Sequence, residues 1–282
     1  YTFFHLHPFG HARPEAASVA PWLLLPKLPG EGALYIGLEA VDLPAVINLL
    51  FQVAEGTADA DAERRPPYWQ YLAADGWRPR PGETNAEPFL LADDTDGLNR
   101  SGIIRFRLPA AAADQHPEMP TGRHWLRATI DFYRRSVCDI IDVQTQAVQA
   151  VRVLESDGAD DPGRPLPSDT VSGLSPRRPE IRTVRQPYSS QGGRSPESDA
   201  GFYTRVSERL RHKQRALMGW DVERLLLEAF PDLYKVKCLP AGWQAGARPG
   251  VADVVVIPDL RDRLPMDPFQ PRLSQARLQE IE

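Results

Sequence analysis

Residues 186–239 read QPYSSQGGRSPESDAGFYTRVSERLRHKQRALMGWDVERLLLEAFPDLYKVKCL, and they decide how the C-terminal part of the chain folds. A Gly-rich turn (Gln191, Gly192, Gly193, Arg194) leads into a helix with Ser195 as N-cap, Pro196 at the first helical position and Glu197 in the first turn. At helical spacing, Phe202, Tyr203, Val206, Leu210 and Leu217 fall in one sector about 100° wide. Arg205, Glu208, Arg211, His212 and Arg215 fall on the opposite side. A second helix starts at Asp221, presents Val222, Leu225, Leu226, Ala229 and Phe230 as its apolar face, and stops at Pro231. The strand LYKVKCL follows, alternating Tyr234, Val236 and Cys238 with Lys235 and Lys237, so that it covers a core on one side only. VADVVVI (251–257) is apolar on both faces and reads as a more central strand, and a last helix begins near Ser274.

The first helix carries the one charged surface that is unusual. Glu208 stands alone among Arg205, Arg209, Arg211, Lys213 and Arg215. It can pair with Arg211 at i+3 and His212 at i+4, each worth only about 0.2–0.5 kcal/mol, which leaves the other arginines unpaired within the helix. Guanidinium groups suit bidentate pairing with carboxylates or phosphates. A protein interface built on Gly192, Gly193, Arg194, Arg205, Glu208, Arg209, Arg211, His212 and Arg215 is the expectation. A plain solvated face and a nucleic-acid contact are the weaker alternatives.

Composition bounds the rest. The 282 residues suffice for about two domains, and 42% hydrophobic with 25% charged residues are globular values. The 28 prolines are about twice the usual share of roughly 5%, which predicts short elements joined by rigid turns and argues against an all-helical fold. The net charge of −5 leaves no overall nucleic-acid footprint, so no nucleic-acid partner is expected. Cys138 and Cys238 sit in apolar, strand-like runs and read as two buried thiols. No apolar run approaches the ~20 residues of a membrane span, and direct membrane insertion is not expected. The chain opens on YTFFHLH without methionine and closes inside a helical pattern, so a piece of a longer polypeptide is expected.

Residues 1–154 read as a β-rich module. In VINLLFQVAEG, Ile47, Leu49, Phe51 and Val53 alternate with Asn48, Leu50, Gln52 and Ala54. Further runs are GALYIGLE (32–39), YWQYLA (68–73), GIIRFRL (102–108), RHWLRATI (123–130) and VCDIIDV (137–143), with turn residues between them. Such spacing predicts a sandwich or an open barrel whose core holds Trp69, Tyr71, Trp77 and Trp125. Residues 155–195 are rich in Pro, Gly, Ser and Asp and form a linker or an extended arm laid over a neighbouring subunit. Residues 196–282 are α+β. The fold class is therefore mixed: a β-rich, sandwich-like part, a long Pro/Gly-rich segment, then an α+β part.

Candidate chemistry is weak. His5, His7 and His11 could share a metal, but with no cysteine nearby an edge strand is the simpler reading. Asp93, Asp94 and Asp96 before Gly97 evoke a calcium loop. Aligning Gly97 with the loop glycine puts Ala92 at the first ligand position and Ile103 where a bidentate Glu is needed, so a turn is expected. The Gly192–Gly193 turn lacks the lysine and spacing of a phosphate loop. No nucleophile–base pair stands out, and neither catalysis nor a cofactor is expected. A carbohydrate-binding or hydrolytic β-module is the alternative, with Trp69, Trp77 and Trp125 as stacking platforms and an aspartate of the turn as acid.

Along QPYSSQGGRSPES, FYTRVSERLRHKQRALMGWDVERLLLEAFPDLYKVKCL, VVVIPDLR and DPFQPRLS, the chain resembles baseplate J-like proteins, the wedge subunits of contractile phage tails and related injection systems. LPGEGALYIGLE, LLFQVAEGTAD, LLADDTDGLNRSGIIRF and TGRHWLRATID carry the likeness through the N-terminal half. The resemblance implies a structural part. It pairs with a companion wedge protein and further copies of itself in a sixfold ring around the central spike, anchors the first sheath layer and rearranges on firing. It also implies contacts with the hub and with the proteins that start sheath and tube. Assembly in the cytoplasm of a producing bacterium, in a released or membrane-docked particle, follows from the same likeness. The turn and basic helix at 191–215 would pack in the inner ring.

Overall fold

The computed structural model describes residues 5–7, 10–12, 30–59, 62, 65–82, 88–153, 163–190, 193, 195–239, 252–259, 273 and 275–281. Two compact units divide the chain. One is Tyr1–Gln149 with Asp232–Lys235 and Val256–Glu282; the other is Ala150–Pro231 with Val236–Val255.

The first unit opens with a short antiparallel ribbon, β1 (His5–His7) and β2 (Gly10–Ala12). His5, His7 and His11 lie on this ribbon, and their side chains fall outside the described residues. The body of the unit is a sandwich of two antiparallel four-stranded sheets. Its strands are β3 (Gly32–Leu38), β4 (Ala45–Ala54), β5 (Tyr68–Ala73), β6 (Gly76–Arg78), β7 (Leu90–Asp93), β8 (Gly102–Leu108), β9 (His124–Ile130) and β10 (Asp139–Thr145). One sheet runs β10-β4-β8-β7 and the other β3-β9-β5-β6. The alternation expected along this strand holds at its centre, where Leu49, Phe51 and Val53 are buried and Asn48, Leu50 and Gln52 only partly so; at its ends Ile47 is partly buried and Ala54 is buried. The other expected β runs are all strands, whereas the short β6 and β7 carry too few alternating residues to stand out in sequence.

The two sheets are locked by aromatic rings. Trp69 of β5 meets Phe51 of β4 at 5.6 Å and Phe106 of β8 at 4.9 Å between ring centroids, both edge to face. Phe89 packs on Phe106 at 5.3 Å and on Tyr71 at 5.1 Å. Such pairs add about 0.5–1.5 kcal/mol each beyond their area burial. Trp125 is buried in a smaller cluster with Leu72 and Met119, and its indole N–H donates to the Pro120 carbonyl at 2.9 Å. Cys138 is buried and Cys238 partly so, both as free thiols.

The acidic run after β7 is a turn, as expected. The Asp93 carboxylate accepts from the Thr95 N–H at 2.8 Å, the Thr95 hydroxyl at 2.5 Å and the Gly97 N–H at 3.3 Å. Gly97 sits at φ +67°, and a Cβ there would meet the Pro66 side chain at 3.1 Å, so both conformation and space call for glycine.

At the C-terminal end, β11 (Leu233–Cys238) and β12 (Val254–Pro258) form a two-stranded ribbon through which the division between the units passes. The expectation of a more central strand at 251–257 is not met. β12 has one neighbour, and Val255 and Ile257 are exposed, because no further strand or sheet face lies over them among the described residues. In β11, Val236 is buried as expected but Tyr234 faces solvent. The helix α3 (Gln275–Ile281) is held in the first unit by Arg277, which pairs with Asp232 and Glu280, and by Arg100, which meets Glu280 at 3.1 Å.

Replacing Phe106 by alanine removes the ring that Trp69 and Phe89 both lean on. The expected cost is about 3–5 kcal/mol, read as a lower urea midpoint with unchanged slope in tryptophan fluorescence.

Candidate protein interface

The basic helix is α1 (Asp199–His212) and its partner is α2 (Gly219–Ala229), both within the second unit. Helix α1 begins three residues later than Ser195 suggests. Ser198 is the N-cap, its hydroxyl accepting from the Gly201 N–H at 3.2 Å, and Asp199 supplies the first-turn charge. Glu197 thus stands before the cap, where both carboxylate oxygens accept from Arg205, at 3.0 and 3.2 Å from Nε and 2.9 Å from Nη2. That fork holds the Glu197 carboxyl below its ordinary range and raises the Arg205 guanidinium above its own. The helix ends where Lys213 enters the left-handed region and donates its N–H to the Arg209 carbonyl at 2.8 Å. Helix α2 starts two residues before Asp221, because the Asp221 carboxylate reaches back to accept from the N–H groups of Leu217 at 3.1 Å and Met218 at 2.9 Å.

The face that α1 turns to α2 is the charged one. Glu228 of α2 lies 4.0 Å from both Arg205 and Arg209, and Glu208 of α1 pairs with Arg224 of α2 at 3.1 Å. The Arg211 guanidinium lies 4.7 Å from the Trp220 ring centroid, and Arg224 lies 5.5 Å from the same centroid. His212 is buried at the helix end, its Nδ1 accepting from the Gln214 N–H at 3.1 Å.

The arginines are unpaired within α1, as expected, and several are engaged from outside the helix. Arg205 and Arg209 have acidic partners and Arg211 a ring, all in the same chain. Glu208 pairs across to α2 and not with Arg211 or His212. Reading α1 alone could not show this, since the compensating Glu228, Arg224 and Trp220 lie on the next helix. Arg215 is exposed and has no ion pair among the described residues. Gly193 is exposed, while Gly192 and Arg194 lie outside the described residues.

With its charges turned to α2, α1 leaves its apolar sector uncovered. On the helix Phe202 is 45% exposed, Tyr203 70% and Leu210 71%, and in the segment between α1 and α2 Leu217 is 80% exposed and Met218 66%. Large apolar side chains left exposed in this number motivate a protein-contact reading. The opposite side of α2 is anchored more firmly. Glu223, nearly buried, accepts from Lys237 Nζ at 2.9 Å and from the Cys238 N–H at 3.1 Å. Lys237 is the main cause that holds its carboxyl below the ordinary value, with the Cys238 N–H adding to it and burial opposing. The sequence reading missed this residue; its only sequence signal is the facing lysine on a following strand.

The indole surfaces offered for a sugar are occupied. Trp69 and Trp125 are buried, and Trp77 has the Arg127 guanidinium 4.2 Å from its ring centroid, with Arg127 itself bonded to Gln70. The carbohydrate-platform alternative therefore loses its platforms. No group of three potential metal ligands occurs among the described residues.

Comparison with known proteins supplies what this geometry leaves open. The profile of the PVC11-like baseplate proteins matches residues 1–282. The chain belongs to the PVC11-like family of baseplate proteins. This baseplate protein is also similar to a chain in the cryo-EM structure of the anti-feeding prophage (AFP) baseplate, 6-fold symmetrised, at 18% identity and a TM-score of 0.34. The match covers 89% of this chain and 53% of that one, so the chain spans about half the length of that relative. No curated protein matches it. Among the described residues, no helix is long and apolar enough to cross a membrane.

Replacing Glu223 by glutamine should lower stability by about 1 kcal/mol at neutral pH. The sign of the pH dependence follows from the depressed carboxyl. The wild-type contribution is complete above the ordinary glutamate value of 4.5 and is lost as the pH falls through the lower, folded value. Denaturation curves at stepped pH should show the two proteins converging on the acid side.

Proposed function

We propose that this baseplate protein is a structural wedge subunit of a contractile injection machine. In this reading it joins a sixfold ring with a companion wedge protein and further copies of itself, encircles the spike and tube, anchors the first sheath layer and rearranges on firing. Membership of the baseplate family along the whole chain carries the reading. The sites support it by what they hold: the polar clusters are committed to internal pairs, and the large exposed groups are apolar side chains fitted to protein contact. Catalysis and cofactors have no place in this role.

Within the assembly, the surface assigned to the inner-ring contact is the outer side of α1. It combines Tyr203 and Leu210 with Arg215, Leu217 and Met218 of the segment that follows the helix. Arg205, Arg209 and Glu208 act one step behind it, by holding α1 against α2 so that Tyr203 and Leu210 face outward.

The test is electron microscopy of particles purified through a tag on this chain. Sheathed tubes labelled at the baseplate end are the expected result; label elsewhere on the particle, or no particles, overturns the wedge role. Exchanging exposed Leu210 for glutamate should leave the circular dichroism and melting of the chain within error of wild type while sharply reducing assembled baseplates.

A further inference from the structure

The second unit contains a feature that the wedge reading does not use. Residues 163–190 hold no helix or strand, yet their two ends are hydrogen-bonded to one another. The Asp169 N–H donates to the Gln186 carbonyl at 2.8 Å, and the Ser190 N–H to the Leu166 carbonyl at 2.9 Å. The Gln186 side chain accepts from the Val171 N–H at 3.2 Å and donates to the Tyr188 carbonyl at 2.8 Å. Arg185 pairs with Asp169 at 3.2 Å. At the root, a Cβ on Gly163 would fall 2.1 Å from the Ser195 hydroxyl, so only glycine lets the two ends close. The result is an arm with a fixed base, far longer than an ordinary connection.

Its tip is basic and half apolar. Between Val171 and Arg185 every residue but Val184 is exposed, including Leu174 and Ile181. Arg177, Arg178 and Arg182 have no ion pair among the described residues, with Glu180 the one acid among them. In a chain of net charge −5, five arginines against Asp169 and Glu180 make the arm positive and leave the remainder more acidic than the whole. Arginines without an ion pair among the described residues thus occur on this arm as well as at Arg215.

A matching surface lies on the sandwich. Asp139 pairs in register with Ala54, the last residue of β4, so Glu55 and the start of β10 share one end of that sheet. The Glu55 carboxylate accepts from the Ser101 N–H at 3.1 Å, and the Asp94 N–H donates to the Ile103 carbonyl at 3.1 Å, which brings the end of β7 to the same place. Glu55, Asp94 and Asp139 are exposed and have no ion pair among the described residues. Of the nearby cations, Arg100 is paired with Glu280 and donates to the Asp94 carbonyl at 2.9 Å, while Arg134 and Arg135 line one cavity together with Asp139, Thr57 and Asp59.

We propose that the arm of one copy docks on a second copy of this chain, with Arg177, Arg178 and Arg182 against the rim of Glu55, Asp94 and Asp139, and Leu174 and Ile181 covered in the contact. The fixed base limits the ordering cost of docking, and the charges give the contact its register. This deepens the structural reading by naming a self-contact. Its test uses the purified full chain, so its failure leaves the location in the particle untouched.

Sedimentation velocity across a concentration series should show association that weakens as salt rises. Replacing Arg177, Arg178 and Arg182 together by glutamate should raise the dissociation constant about tenfold or more, at unchanged melting temperature. Combining that variant with arginine at Glu55 and Asp94 should restore association in part, which a fold defect could not do. A chain that stays monomeric at every concentration and salt, or a triple variant that associates like wild type, overturns the proposal. So does an arm that the same series shows binding a duplex oligonucleotide in preference to a second copy.

Discussion

Glu228 sits between Arg205 and Arg209, and the exposed part of this protein follows from that placement. An amphipathic helix normally turns its apolar side inward. Here α1 turns its charges toward α2, with Glu208 on Arg224 and Arg211 over Trp220 as further points of attachment. None of these contacts is strong alone, since exposed pairs are worth little. Together they set the rotation of α1 about its own axis, and rotation decides which side chains water meets. The consequence is a group of apolar side chains on the outside, a costly arrangement in an isolated chain and a useful one in a subunit that ends up surrounded by others.

The sandwich works in the opposite sense. Trp69, Phe51, Phe106 and Phe89 bury their rings between the sheets, and Arg127 caps Trp77. The aromatic content that invites a glycan-binding reading is thereby consumed in holding two sheets together. Within the acidic turn, the Asp93 carboxylate satisfies the backbone of its own loop.

Rigid attachment of irregular chain is the third theme. The 163–190 segment has the composition of a linker, and composition alone cannot separate a linker from an arm. The Gln186 side chain and carbonyl tie both flanks of the loop at once. The segment then carries Arg177, Arg178 and Arg182, without an ion pair among the described residues, on a base tied by hydrogen bonds.

Local pattern sufficed for much of this. The alternation in 45–54 and in the five other β runs of the N-terminal half, the helix pair around Pro231 and the turn at Asp93–Gly97 were legible because periodicity and turn chemistry act over a few residues. The baseplate likeness was legible because a long ordered string of residues is specific even where no short motif is. Tertiary structure alone decided the rest. It moved the cap of α1 to Ser198, left β12 with a single neighbour among the described residues, and buried Glu223 against Lys237 and the Cys238 amide. Above all, it chose which face of α1 would be inside. A helical wheel states which residues share a face, but the direction of that face depends on charges carried by another helix, and those meet only after the chain has turned back on itself.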